Sequence, residues 1–155
     1  MKVLFATDGS KQGDAAAAMV KKLDLANHDS IHVISVVDLA VPMSVDLYGG
    51  YLPDTSEIEK AAREHATKIV DESCRAITEA FAGRDIAVTC EVLFGSPESR
   101  IVETAEDRHI DLIVLGSHGY SRWERLLLGS VSNSVVHHAH CSVLVVRAPA
   151  DETSG

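Results

Sequence analysis

Four stretches of the chain are short, β-branched and almost continuously apolar: "KVLFAT" (2–7), "IHVISVV" (31–37), "DLIVLG" (111–116) and "SVLVVR" (142–147). Strands that are apolar on both faces need helices on both faces, which is the mark of a parallel sheet. A fifth run, "IAVTCEVLF" (86–94), sets Ile86, Val88, Cys90, Val92 and Phe94 against Ala87, Thr89 and Glu91. Its partial alternation predicts a strand nearer the sheet edge.

Helical periods fill the gaps between these runs. Residues 10–26 carry Ala15, Ala18, Met19, Val20 and Leu23 behind Ser10, a candidate cap. Residues 54–82 repeat Ile58, Ala62, Ala66, Ile69, Val70, Ser73, Ile77, Ala80 and Phe81 at helical spacing. "GSPESRIVETAEDR" offers Ser96 as N-cap and Pro97 at the first helical position, where a missing N–H costs nothing. A last helix starts near Ser130 and runs to about His138. Strands and helices thus alternate into one five-stranded α/β domain of the doubly wound type, spanning residues 1–148. The polar tail 149–155 is expected to fray. One connection, "DLAVPMSVDLYGGYLPD" (38–54), is long, irregular and rich in apolar residues. It reads either as packing on the long helix after it, or as a flap over a ligand or a subunit contact.

Composition then narrows the partners. With 23 Asp and Glu against 14 Lys and Arg, the net charge is −9. Such a field repels nucleic-acid backbones and anionic membranes, so neither is expected as a partner. Any phosphate the protein binds must be held by backbone N–H groups rather than by a basic patch. Cys74, Cys90 and Cys141 lack CxxC or metal-finger spacing, and the uncharged run Val3 to Thr7 is too short for a signal-peptide core. A reducing, cytoplasmic address follows as the expectation. Cys74 and Cys90 read as core packing.

The stretch "GSHGYSRWERLLLGSVSNS" (116–134) is where chemistry concentrates. Gly116 ends the fourth strand, and in an open parallel sheet ligands sit beyond the C-terminal strand ends where the strand order reverses. Glycine there can take a positive φ and lets a ligand approach the backbone. Gly129 and Ser130 open the last helix, whose first N–H groups lack helical partners and carry partial positive charge. These features predict an anion pocket made from backbone, to which the hydroxyls of Ser130 and Ser132 can donate. The spacing is neither GxGxxG nor GxxxxGK[ST], so the dinucleotide fold and the P-loop are not supported.

Residues 116–134 fit the pattern G-x2-G-x9-G-[ST]. Together with "KVLFATDGS", "GSPESRIVETAEDRHIDLIVLGSHG" and "LLLGSVSNSVVHHAHCSVLVVR", they make the chain resemble the universal stress protein family, in its nucleotide-binding branch. The resemblance spans nearly the whole chain except the 38–54 loop and the tail. It implies a parallel sheet ordered 3-2-1-4-5 with helices on both faces, binding of ATP or a related adenine nucleotide such as AMP or ADP, and homodimerisation. It also implies that Ala6, Thr7, Asp8 and Val36 hold the adenosine, while Gly116, Gly119, Gly129, Ser130, Val131 and Ser132 hold ribose and phosphates. Mg²⁺ or Mn²⁺ would ride on the phosphates. In that sheet order Asp8 and Gly116 flank one crevice. Asp8 can accept from a ribose hydroxyl or an adenine amino group, or it can cap the following helix; both readings stay open.

Ser117 joins the candidate set through its place in the glycine turn. His118 either touches a phosphate or shapes the loop, and Arg122 either reaches a terminal phosphate or is a solvated loop charge, as is Arg125. His137, His138, His140 and Cys141 point in different directions on a helix end and read as structural, with no metal site assigned. No residue is assigned a catalytic role, because no nucleophile elbow, pyrophosphatase-type loop or receiver-type acidic cluster is present. The last strand, at the sheet edge in the implied order, is uncharged until Arg147. Pairing of residues 142–147 with the same strand of a second copy would cover that edge. The function expected is therefore a dimeric, nucleotide-binding stress-response or regulatory protein. A slow ATPase or autophosphorylating enzyme, and an interaction module with a vestigial site, are the rivals.

Overall fold

The computed structural model describes residues 1–38, 56–118 and 128–149. The 38–54 connection after Asp38, Gly119, Arg122, Arg125 and the tail from residue 150 lie outside the described residues. The elements are β1 (Lys2–Ala6), α1 (Lys11–Val20), β2 (Ser30–Val37), α2 (Ser56–Ala80), β3 (Ala87–Phe94), α3 (Pro97–Asp107), β4 (Leu112–Gly116), α4 (Ser130–His138) and β5 (Ser142–Val146). All pairings are parallel and the order is β3-β2-β1-β4-β5, as expected. β1 and β4 are neighbours whose connections leave in opposite directions, so the order reverses at their C-terminal ends.

Two apolar layers sandwich the sheet. Val3, Phe5, Val33 and Val114 meet Ala16, Val20, Ile77 and Phe81 of the α1–α2 side. Leu4, Ile34, Leu93 and Ile113 meet Ile101, Ala105 and Val135 of the α3–α4 side. Each central strand therefore alternates between two buried surfaces, which is why its sequence reads apolar throughout.

One boundary and two burials differ from the periodicity. α1 ends at Val20 instead of reaching residue 26, because Lys22 and Leu23 bond back three residues to Met19 and Val20. This tighter winding turns Leu25 into the core, where it is fully buried. In α2, Ala66, Val70 and Ile77 are buried but Ile58 is exposed. Arg63 already stacks on Phe94, the last residue of β3, at 4.2 Å, so the turns before it overhang the end of the sheet. Cys90 is exposed and not a core residue, since β3 is an edge strand with one flank uncovered. Half-buried Cys74 of α2 meets it there. Burial first, then the contact with Cys90, pushes the Cys74 thiol up to about 12.

A polar cluster around buried His32 ties β2, β3 and the end of α3 together. His32 places Nδ1 2.8 Å from Thr89 Oγ1. Its Nε2 lies 3.3 Å from Glu91 Oε2, an ion-pair contact poorly aligned for a hydrogen bond. The same Glu91 oxygen accepts from Arg108 Nη2 at 3.2 Å. Burial chiefly, and the Arg108 charge, hold His32 below the ordinary imidazole value, against an upward pull from Glu91. The folded state thus resists the proton that the unfolded chain accepts near pH 6.5. This stabilising contribution is complete above that value and is lost as pH falls below it. Thermal melts at pH 7.5 and 5.5 should show a fall in midpoint that is visibly smaller in His32→Gln; an equal fall in both proteins would contradict the assignment.

Candidate functional site

The C-terminal ends of β1, β2 and β4 and the N-terminal turns of α3 and α4 enclose a cleft of about 210 Å³. That is many times the room one bound water needs. Its walls divide by chemistry. Ile34, Val36, Pro97, Ile101 and Leu115 give an apolar slot on the α3 side, while Thr7, Asp8, His118, Ser130 and Ser132 supply the polar groups. Ala6, Gly116, Gly129 and Val131 also line it. Ten of the residues read from the sequence are therefore brought to one place: Ala6, Thr7, Asp8, Val36, Gly116, His118, Gly129, Ser130, Val131 and Ser132. Ser117 lies beneath the lining as a fully buried residue.

Main-chain geometry explains the β1 and β2 contributions. Thr7 N–H donates to Ile34 O at 2.9 Å, so Ile34 directs its main-chain groups toward β1. Val36, two residues on, directs its N–H and C=O to the same side, where β1 has already ended. Val37 faces the other way and accepts from Gly95 N. The edge presented by Val36 therefore opens toward the cleft with no main-chain partner among the described residues. Asp8 turns one carboxylate oxygen, Oδ1, onto the Ser10 amide at 3.0 Å, while Ser10 itself caps α1 by accepting from Gly13 N. Asp8 is thus a turn-former beside the cleft rather than the helix cap.

The motif glycines work differently from the expectation of positive φ. Neither Gly116 nor Gly129 takes one; Gly129 sits at φ −63, ψ 162. A Cβ at Gly116 would stand 2.8 Å from the main-chain carbon of Gln12, so its bareness seats α1 against the end of β4. One at Gly129 would stand 3.1 Å from Ser117 O and 3.3 Å from His118 Cα. Both glycines allow chain segments to approach one another.

Ser132 also departs from its expected role. Its hydroxyl donates to Ser117 O at 2.8 Å and lies 3.1 Å from Gly129 O, so its proton is held by the protein. The Gly129 amide donates to the same Ser117 oxygen at 2.7 Å. What remains open is the first turn of α4. No side chain caps it and no acid lies in it, and the first helical return bond runs from Asn133 N to Gly129 O. The amides of Ser130 and Val131 have no acceptor among the described residues. The other helices each carry an acid in the first turn: Asp14 in α1, Glu57 and Glu59 in α2, Glu98 in α3. The Glu98 carboxylate accepts from Ser96 first and from its own amide, which holds it below its ordinary value. Among the described residues, α4 alone has an N-terminal pole with neither a first-turn acid nor a side-chain cap.

Sequence reasoning missed Gly13, Ile34, Pro97, Ile101 and Leu115 in the lining. Their apolar or helix-starting character was visible, but their convergence depends on how α1 and α3 seat over the strand ends. At the histidine-rich end of α4, His138 Nδ1 lies 2.8 Å from Ser134 O on its own helix. Among the described residues no three His, Cys, Asp or Glu side chains gather into a metal site.

Known proteins share the family and the fold. The family model of the universal stress protein family matches residues 1–147. A universal stress protein of Methanocaldococcus jannaschii is 34% identical over 151 residues, covering 97% of this chain and 84% of that protein. Two solved structures share the fold. A universal stress protein crystallised in complex with cAMP is 23% identical, with TM-score 0.67 and coverage of 96% of this chain and 98% of its own. An Arabidopsis thaliana family member with AMP bound is 18% identical, with TM-score 0.66 and coverage of 99% and 95%.

The packing roles of Gly116 and Ser132 have a direct test in urea unfolding. Gly116→Ala should lose about 1–3 kcal/mol from overpacking against Gln12. Ser132→Ala should lose about 1 kcal/mol with its hydrogen bond to Ser117 O. Unchanged midpoints would mean that neither contact holds the cleft together.

Proposed function

The chain belongs to the universal stress protein family, and on that premise we propose that it is a regulatory stress-response protein that binds ATP or a related adenine nucleotide in the cleft. The observation that carries the reading is the uncapped, acid-free first turn of α4 at the polar end of a slot with apolar walls. A ligand suited to both halves has a flat apolar body and an anionic tail. The adenine lies between Val36, Ile34, Leu115 and Ile101, with its edge on the Val36 main chain. Asp8 accepts from a ribose hydroxyl or from the adenine amino group. The phosphates rest on the Ser130 and Val131 amides, and Mg²⁺ or Mn²⁺ enters bound to them. The AMP and cAMP carried by the two solved family members are ligands of this kind.

We assign binding rather than turnover, since Asp8 and His118 are the titratable side chains among the described lining residues and Asp8 is engaged in a turn. Cysteine usage supports a cytoplasmic setting, with all three thiols free. No helix among the described residues is long and apolar enough to cross a membrane.

Calorimetric titration with MgATP tests the site. Ser130→Pro deletes one cleft amide at the first helical position, where proline leaves the helix intact. Binding should weaken by about ten- to a hundredfold, as expected for one charge-assisted hydrogen bond, with unfolding stability retained. Wild-type protein that binds no adenine nucleotide, or a variant that binds equally well, would defeat the reading.

We also propose a homodimer through β5. It is an edge strand in which Ser142 N and Val146 O bond toward β4. Val143 and Val145 alternate with them and direct their main-chain groups outward. Val145→Pro removes one outward N–H and leaves the β4 ladder untouched. Sedimentation should show a wild-type dimer and a monomeric variant; a dimer that survives the substitution would place the interface elsewhere.

A further inference from the structure

Two thiols lie away from the cleft, where α2 crosses the β3 edge of the sheet, and the reading above gives them no part. Cys74 and Cys90 are both free, the first half-buried and the second exposed. Cys74 stands four residues after Val70 and three before Ile77, both buried, so it lies on the stripe of α2 that faces the sheet. Cys90 is paired in register with Val33, whose side chain packs in the core layer under α1 and α2. Residues paired across a parallel ladder share a face, so Cys90 points toward α2 as well.

Their levels along the two elements also agree. α2 and β3 run in opposite directions, with Arg63 over Phe94 at one end and Phe81 in one cluster with Val88 at the other. From Arg63 to Cys74 the helix rises about 16 Å. From Phe94 to Cys90 the strand covers about 13 Å, and the difference is within the reach of the arginine side chain. The thiols therefore meet, and this contact, after burial, helps to hold the proton on Cys74. A cysteine used only for packing is among the most buried of residues, and Cys90 is exposed.

We propose that Cys74 and Cys90 form an oxidisable dithiol, a modification site at which a low-molecular-weight disulfide closes an intramolecular bond between α2 and β3. Cys90 reacts first, since it is exposed and burial keeps Cys74 protonated. Its proton passes to water and the thiolate attacks one sulfur of the small disulfide. A mixed disulfide forms on Cys90, and one small thiolate leaves and takes up a proton. Cys74 then gives its proton to water and its sulfur attacks Cys90 Sγ, expelling the second small thiolate, which is protonated in turn. Two protein thiols are oxidised, and one small disulfide is reduced to two thiols. Cys141 has no place in this exchange, because it packs with the α3–α4 layer on the opposite face. β3 is also the edge opposite β5, so the site stays open in the β5-paired dimer proposed above. The bond ties the end of α2 to the strand that follows it and restricts the unfolded chain, which stabilises the fold.

Treatment of the native protein with glutathione disulfide, followed by intact-mass and non-reducing peptide analysis, tests the pair. The wild type should lose two hydrogen atoms in mass, keep Cys141 as its free thiol and yield a peptide joining Cys74 to Cys90. Its thermal midpoint should rise by about 5–10 °C over the reduced form. Cys74→Ser should stop at the glutathione adduct on Cys90, while Cys90→Ser should form no internal bond. Cys141→Ser should close the bond as the wild type does. Separate glutathione adducts on Cys74 and Cys90, a bond to Cys141, a bond formed only in urea, or no reaction of the native thiols would overturn the proposal. So would a closed bond that leaves the midpoint unchanged.

Discussion

Ser117 O accepts two hydrogen bonds from the start of α4, the Gly129 amide at 2.7 Å and the Ser132 hydroxyl at 2.8 Å, and the character of the cleft follows from that clasp. Ser132 stands where a side chain could compete for the helix amides, and its hydroxyl is drawn back toward β4 instead. Gly129, at the cap position, has no side-chain oxygen to offer. The helix is thus anchored by the two groups flanking its first turn, while the Ser130 and Val131 amides between them meet no acceptor among the described residues. A serine or aspartate cap would stabilise α4 by about 1 kcal/mol. Its absence is understandable if those amides serve a ligand.

The acidity of the chain gives this arrangement its logic. A net charge of −9 opposes the approach of any polyphosphate, and no lysine or arginine lies among the described lining residues. Attraction must then be short-ranged and directional, from N–H groups aligned by a helix and shielded by apolar walls. The distribution of first-turn acids fits the same demand. Asp14, Glu57, Glu59 and Glu98 stabilise the poles of their own helices, and α4 is left without one. Such a site discriminates by shape and by hydrogen-bond direction more than by charge. On the proposed reading, the apolar slot would select the base and the helix end the anion.

Much of this was legible in the sequence, and the limits were physical. The strands announced themselves because both faces are buried, and the last helix because Gly129-Ser130 follows an apolar segment. The strand order followed from family resemblance rather than from periodicity. The end of α1 was misplaced because Leu23 and Leu25 continue a helical-looking apolar pattern while the chain has already wound into shorter-range turns. Cys90 looked like a core residue because alternation says which face a residue takes and not whether that face is covered at an edge. Pro97 and Ile101 were placed correctly on α3 but not in the cleft, since a helix period carries no information about which strand end the helix will overhang. Nothing in the sequence marks Gln12. An uncharged helix residue becomes a fixed acceptor only once Ala148 and Ser117 are brought to it from 136 and 105 residues away.

The glycines of the motif carry a last consequence. A glycine at a phosphate site invites the idea that the ligand needs the space, yet the atoms that a Cβ would strike at Gly116 and Gly129 belong to Gln12, Ser117 and His118. The glycines bring α1, the end of β4 and the start of α4 within van der Waals reach. Only at that distance can Gln12 reach Ser117, Ser117 orient His118, and Ser117 O hold α4. A side chain at either glycine would separate these partners before it touched any nucleotide. Loss of binding in a glycine variant would therefore report a dismantled network and say little about ligand contact. Substitutions that leave the approach intact and change one donor, as at Ser130, separate recognition from assembly. The close packing that the glycines permit is what fixes the start of α4 against the end of β4, and with it the direction of the amides on which the proposed anion would rest.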